Sequence, residues 1–110
     1  MIYRCNDILK WAAQRNLIGL NAKATPHGQV CKTLEEATEL LDAINKQRLD
    51  LIRDAIGDVY VTLVIQAEMN GLTMTECIDA AWEEIKDRKG HMSGGVFVKE
   101  PPILFDRGSN

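Results

Sequence analysis

The chain has 110 residues, 45% hydrophobic and 26% charged, which supplies one small core and leaves no material for a second independent domain. Its 13 Lys and Arg against 16 Asp and Glu give a formal charge of −3, so no overall basic field exists to hold nucleic acid or an anionic membrane. The most apolar stretch, residues 59–67, is interrupted by Thr62 and Gln66 and falls well short of the ~20 residues of a membrane span.

The opening Met-Ile-Tyr-Arg-Cys-Asn-Asp lacks the basic-then-apolar order of a signal peptide. Cys5, Cys31 and Cys77 are an odd set at wide spacings, which suits reduced thiols in a cytosol better than a disulfide framework. The expectation is a soluble cytoplasmic protein, with no membrane and no nucleic-acid partner. His27 and Cys31 stand at i, i+4, but the paired cysteines of a structural zinc site are missing.

Aromatics are scarce and long windows follow a helical period, which predicts an all-α chain forming a single domain over 1–110. A first helix over about 7–18 takes Asn6 or Asp7 as N-cap and carries Ile8, Leu9, Ala12 and Leu17. The second, over about 26–47, has two candidate starts. Thr25 before Pro26 is an N-cap with proline at the first helical position, and Thr33 with Glu36 has capping-box spacing. Leu34, Ala37, Leu41 and Ile44 form the stripe expected to face a core.

The third helix, over about 50–70, has Ile52, Ala55, Ile56, Val59 and Leu63 as its inner stripe and Gly71 as its stop. Its second half is apolar nearly all round, more than one small chain can cover, which predicts a homodimer or higher oligomer. The fourth, over about 74–89, has Thr73 as N-cap with Glu76 three residues on. Residues 91–110, with Gly94-Gly95, Val96-Phe97-Val98 and Pro101-Pro102, read as an extended tail in which Val96 to Val98 can form a short strand or pack on a partner.

The acids fall in a pattern. Glu36 and Glu39 lie about 60° apart around their helix, and Asp54 and Asp58 about 40° apart on the next, in line with Val61 and Ile65. Aspartates on a buried apolar stripe need a partner, since unpaired buried carboxylates cost several kcal/mol and repel one another. A hard divalent cation, Mg²⁺ or Mn²⁺, removes both penalties. Glutamates in a first turn also cap helices and line solvated faces, and the other reading of Asp54 is a plain ion pair in Arg53's neighbourhood or with Lys86. Lys86, Arg88 and Lys89 at the end of the fourth helix suit either its dipole or the phosphates of an anionic ligand, and Lys32 one turn before Glu36 can serve likewise.

Glu35-Glu36-Ala37-Thr38-Glu39-Leu40 followed by Asp54-Ala55-Ile56-Gly57-Asp58-Val59 resembles the Glu-Glu-x-x-Glu and Glu-x-x-Asp motifs of the MazG-like all-α nucleoside triphosphate pyrophosphohydrolases. The likeness covers about residues 29–99, and the Gly94 to Lys99 segment looks like short phage-type members. It implies a four-helix module completed by dimer or tetramer formation. It also implies Mg²⁺ on the acidic helices and hydrolysis of a nucleoside triphosphate to monophosphate and pyrophosphate.

Residue by residue, Glu36, Glu39 and Asp58 match metal ligands; Ala55 stands where the family usually has its second-motif glutamate, and Asp54, one residue earlier, is the substitute ligand. The mechanism expected from this is water attack at the α-phosphorus with Glu35 orienting or deprotonating the water. Lys86, Arg88 and Lys89 would grip phosphates, helped by Lys32 or Gln29. The alternative is a non-catalytic helical module that binds a nucleotide or a protein, with Ala55 marking lost activity.

Overall fold

The computed structural model describes residues 3–100. Four helices and a two-stranded sheet occur in order: α1 (Cys5–Gln14), α2 (Pro26–Asn45), α3 (Leu49–Met69), α4 (Met74–Ile85), β1 (Gly90–Ser93) and β2 (Val96–Lys99). The residues gather into two compact units, one reaching to Ile78 and the other beginning at Asp79. Among the described residues no helix is long and apolar enough to cross a membrane.

In the first unit α3 is the central element, with α1 and α2 both packed on it. α2 starts at Pro26, because Thr25 in extended conformation accepts a hydrogen bond from Gly28 N over 3.0 Å. Thr33 is therefore inside the helix, and its hydroxyl donates to Thr62 Oγ1 over 2.9 Å instead of capping. Gln66 Nε2 reaches Pro26 O and Gln29 Nε2 reaches Thr62 O, so α2 and α3 run antiparallel. α1 is shorter than expected, ending at Gln14 with Arg4 as N-cap. Asn16 adopts a left-handed φ of 61° and Leu17 N returns to Ala12 O over 3.0 Å, which closes the helix before Leu17 can join it.

The inner stripe expected on α2 is corrected. Leu34, Leu41 and Ile44 are 63%, 60% and 52% exposed, whereas Gln29, Glu36 and Ala43, spaced seven apart, are buried against α3. On α3 the stripe holds for Ala55 but not for Ile56 or Leu63; the buried set is Ala55, Thr62, Val64, Ile65 and Ala67. The helix ends as expected, with Gly71 at φ 72° beyond it.

Thr73 and Glu76 form the expected reciprocal capping box at the start of α4, Glu76 N to Thr73 Oγ1 at 3.1 Å and Thr73 N to Glu76 Oε1 at 2.8 Å. α4 stops at Ile85 rather than running to residue 89. The segment beyond it corrects both the extended tail and a strictly all-α chain. β1 and β2 pair antiparallel, with His91 opposite Val98 and Met92 opposite Phe97. Gly94 and Gly95 make the two-residue turn with φ of 58° and 83°, the positive pair such a hairpin demands. The proline pair and the rest of the tail lie outside the described residues.

Candidate functional site

α2 delivers Lys32, Glu35, Glu36 and Glu39 at i, i+3, i+4 and i+7, on successive turns of one side. Carboxylate oxygens of Glu35, Glu36 and Glu39 lie within 4.8 Å of one another, with Glu36 buried and the others exposed. Lys32 Nζ bridges two of them, 3.0 Å from Glu35 and 3.5 Å from Glu36. The Lys32 ammonium is held above the ordinary lysine range mainly by its hydrogen bond to Glu35 and that group's charge, with Glu36 adding to the effect and desolvation opposing it. Glu35 thus joins the glutamate cluster instead of facing away from it.

α3 brings Asp58 to the same place. Its carboxyl is pushed above the usual range first by burial, then by the charges of Asp54 and Glu36, with Lys32 opposing. Asp58 lines one cavity together with Lys32 and Glu36 of the facing helix. The aspartate pair is less buried than its apolar stripe implied, since Asp54 is exposed and Asp58 only partly covered. Lys86, the ion-pair partner considered for Asp54, is bonded instead to Glu83 at 2.8 Å. Ala55, at the position of the missing acid, is buried.

The cavity shared by Lys32, Glu36 and Asp58 has a volume of about 890 Å³. Ile8, Trp11, Leu17, Val61 and Ile65 supply apolar wall, and Gln29, Lys32, Glu36 and Asp58 supply polar groups. Gln29 is buried and its orientation is fixed, because only its amide nitrogen can donate to Thr62 O, at 3.0 Å. Trp11 is the residue that reading the sequence missed. It stands on α1 with the Arg15 guanidinium 4.4 Å from its ring centroid, and its one sequence signal is a large aromatic in a chain that has only two tryptophans.

In the second unit Lys86 pairs with Glu83, and Arg88 with Glu84 at 3.3 Å, the ordinary one-turn ion pairs of a helix end. Lys89 comes next, outside the helix, and its carbonyl accepts from Glu100 N. His27 and Cys31 are not part of the ligand cluster found among the described residues.

Residues 24–93 match the family model described as the MazG nucleotide pyrophosphohydrolase domain, and the chain belongs to that family. A curated relative, an uncharacterized 18.2 kDa protein in the rep-hol intergenic region of Haemophilus phage HP1 (strain HP1c1), is 41% identical over 64 residues. That match covers 58% of this chain and 37% of the phage protein, so the chain spans well under half of its relative's length. No solved structure matches.

Proposed function

We propose that this protein is a Mg²⁺-dependent nucleoside triphosphate pyrophosphohydrolase that converts a ribo- or deoxyribonucleoside triphosphate and water to the monophosphate and pyrophosphate. The observation that carries the reading is that Glu36 on α2 and Asp58 on α3 line one cavity large enough for a nucleoside. The donor set fits a hard cation. Glu35, Glu36 and Glu39 offer carboxylate oxygens within 4.8 Å of one another, a cluster that does not include Asp54 or Asp58.

Glu36, Glu39, Asp54 and Asp58 would hold Mg²⁺, or Mn²⁺, which supplies charge to neutralise the triphosphate and the departing pyrophosphate. Glu35, steadied by Lys32, orients the water and takes its proton as the water oxygen bonds to the α-phosphorus. The bond from that phosphorus to the oxygen bridging to the β-phosphate breaks, and pyrophosphate leaves with the electron pair. Trp11 and the aliphatic wall receive the base, and Gln29 offers its remaining carbonyl oxygen beside it. Lys32 faces the phosphates, and Lys86, Arg88 and Lys89 would add charge from a neighbouring copy.

The exposed Leu34, Leu41 and Ile44 support assembly as a homodimer or homotetramer, because burying each side chain is worth about 1.5–3 kcal/mol. Ala55 favours a second reading, a nucleotide-binding module without turnover, which predicts a nucleotide-induced rise in Tm and no product. Turnover in heavy-oxygen water tests the proposed reaction. Label in the monophosphate supports attack at the α-phosphorus, and label in the pyrophosphate contradicts it.

A further inference from the structure

One wall of the large cavity comes from α1, and the family-model match begins only at residue 24. That wall therefore lies outside the matched domain. α1 gives the cavity Ile8 and Trp11, three residues apart on one side of the helix, whereas α2 and α3 give it Lys32, Glu36 and Asp58. Asp7, the charged residue that α1 adds, is already paired with Arg4 at 3.1 Å. A ligand that suits all of these walls is apolar where it meets α1 and charged where it meets the acids.

Trp11 is 45% exposed beside the buried Ala12, so its indole is not core packing. What holds it is Arg15. Arg15 Nη1 donates to Trp11 O over 3.0 Å, and the guanidinium carbon stands 4.4 Å from the ring centroid. The bond to a last-turn carbonyl is an ordinary helix-end contact, and it brings the cation over one face of the indole. Arg15 forms no ion pair with an acid among the described residues. The ring keeps its other face for a flat partner.

We infer that the indole of Trp11 is the stacking platform for the substrate's base and that Arg15 is its positioning residue, so that α1 distinguishes a nucleotide from a phosphate compound without a base. The inference rests on the proposed pyrophosphohydrolase reading. Every nucleobase has a π-face, and stacking on an aromatic side chain tolerates any of them. This wall therefore selects for a base as a class and not for one base. Arg15 acts through the ring: its guanidinium is committed to Trp11 and holds no phosphate.

The chain has two tryptophans, and Trp82→Phe leaves Trp11 fluorescence to report on this wall alone. In that background the common nucleoside monophosphates should quench the emission. Ribose 5-phosphate, which has the sugar and phosphate without a base, should not. Calorimetry on the full chain then separates the two roles. Loss of stacking in Trp11→Ala predicts about tenfold weaker monophosphate binding, whereas Trp11→Phe keeps a ring and most of the affinity. Arg15→Gln should weaken it about threefold, Arg15→Lys should recover part of that loss, and ribose 5-phosphate binding should not change in any variant. No quenching by any common monophosphate, or wild-type affinity in Trp11→Ala, overturns the platform. Ribose 5-phosphate weakened by Arg15→Gln as much as the monophosphate puts Arg15 on the phosphate and overturns its positioning role. Turnover by Trp11→Ala and Arg15→Gln with an unaltered KM overturns the platform and leaves the reaction standing. Base-dependent quenching in a protein that turns over no nucleotide overturns the reaction and leaves the platform standing.

Discussion

The ammonium of Lys32 stands 3.5 Å from the carboxylate of Glu36, the buried member of the glutamate cluster. In the metal-free protein that lysine is the positive charge nearest the acids, so it and a cation act on the same repulsion. Lys32→Met is therefore expected to lower the Tm of the metal-free protein and to enlarge the rise that Mg²⁺ produces. Thermal melts with chelator and with Mg²⁺ check this. Equal losses under both conditions would mean that Lys32 acts by packing alone.

Ala55→Glu restores an acid where the family motif has one. A new carboxylate at a buried position is costly without a partner, so the variant should melt lower than wild type in chelator. With Mg²⁺ the order should reverse, accompanied by tighter metal binding in calorimetry. Destabilisation that Mg²⁺ does not relieve would place residue 55 away from the cation.

Gly57→Ala tests what the glycine costs α3. Alanine is better than glycine inside a helix by about 1 kcal/mol, and the added methyl meets open space. Tm should rise by a few degrees for a domain of this size, which thermal melts check. A lower Tm would mean that the added methyl meets a neighbour.

Tyr60 ties α3 to the chain just before α1. Its hydroxyl donates to Tyr3 O over 2.9 Å and lies 3.4 Å from Cys5 Sγ. The Cys5 hydrogen bond first, then burial, raises its pKa from 10.0 to about 12. The folded state thus holds this proton more tightly than the unfolded state does. Its stabilisation is fully present below about pH 10, where even the unfolded phenol is protonated, and is lost as pH rises toward about 12. Phenolate absorbance should show a late step near that pH that Tyr60→Phe removes.

Local signals in the sequence carried the element order. Thr73 with Glu76 and Thr25 with Pro26 each act within a few residues, and each forms the cap its chemistry requires. The burial of α2 was not legible in the same way. Leu34, Leu41 and Ile44 mark a face that gains by burial, but periodicity does not say against which chain, and α3 instead takes Gln29, Glu36 and Ala43.

The acidic residues of the candidate site could be picked out because they repeat at one-turn spacing on two successive helices. Trp11 could not, because the cavity wall joins residues from α1 and α3 that are more than forty positions apart. The small hairpin was legible only in Val96 to Val98, read as a short strand or a surface for a partner, whereas Gly94-Gly95 was read as extended tail and makes the turn.

The most direct test of the central claim is product analysis with purified protein and each common ribo- and deoxyribonucleoside triphosphate, with and without Mg²⁺, beside Glu39→Gln. Partners that merely support metal ligands are worth about 10- to 100-fold, so loss of a ligand should reduce turnover by at least that much. A pyrophosphohydrolase built on these acids gives monophosphate and pyrophosphate, formed only with the metal and lost in Glu39→Gln. Diphosphate and phosphate as products, or turnover indifferent to Glu39, would contradict it.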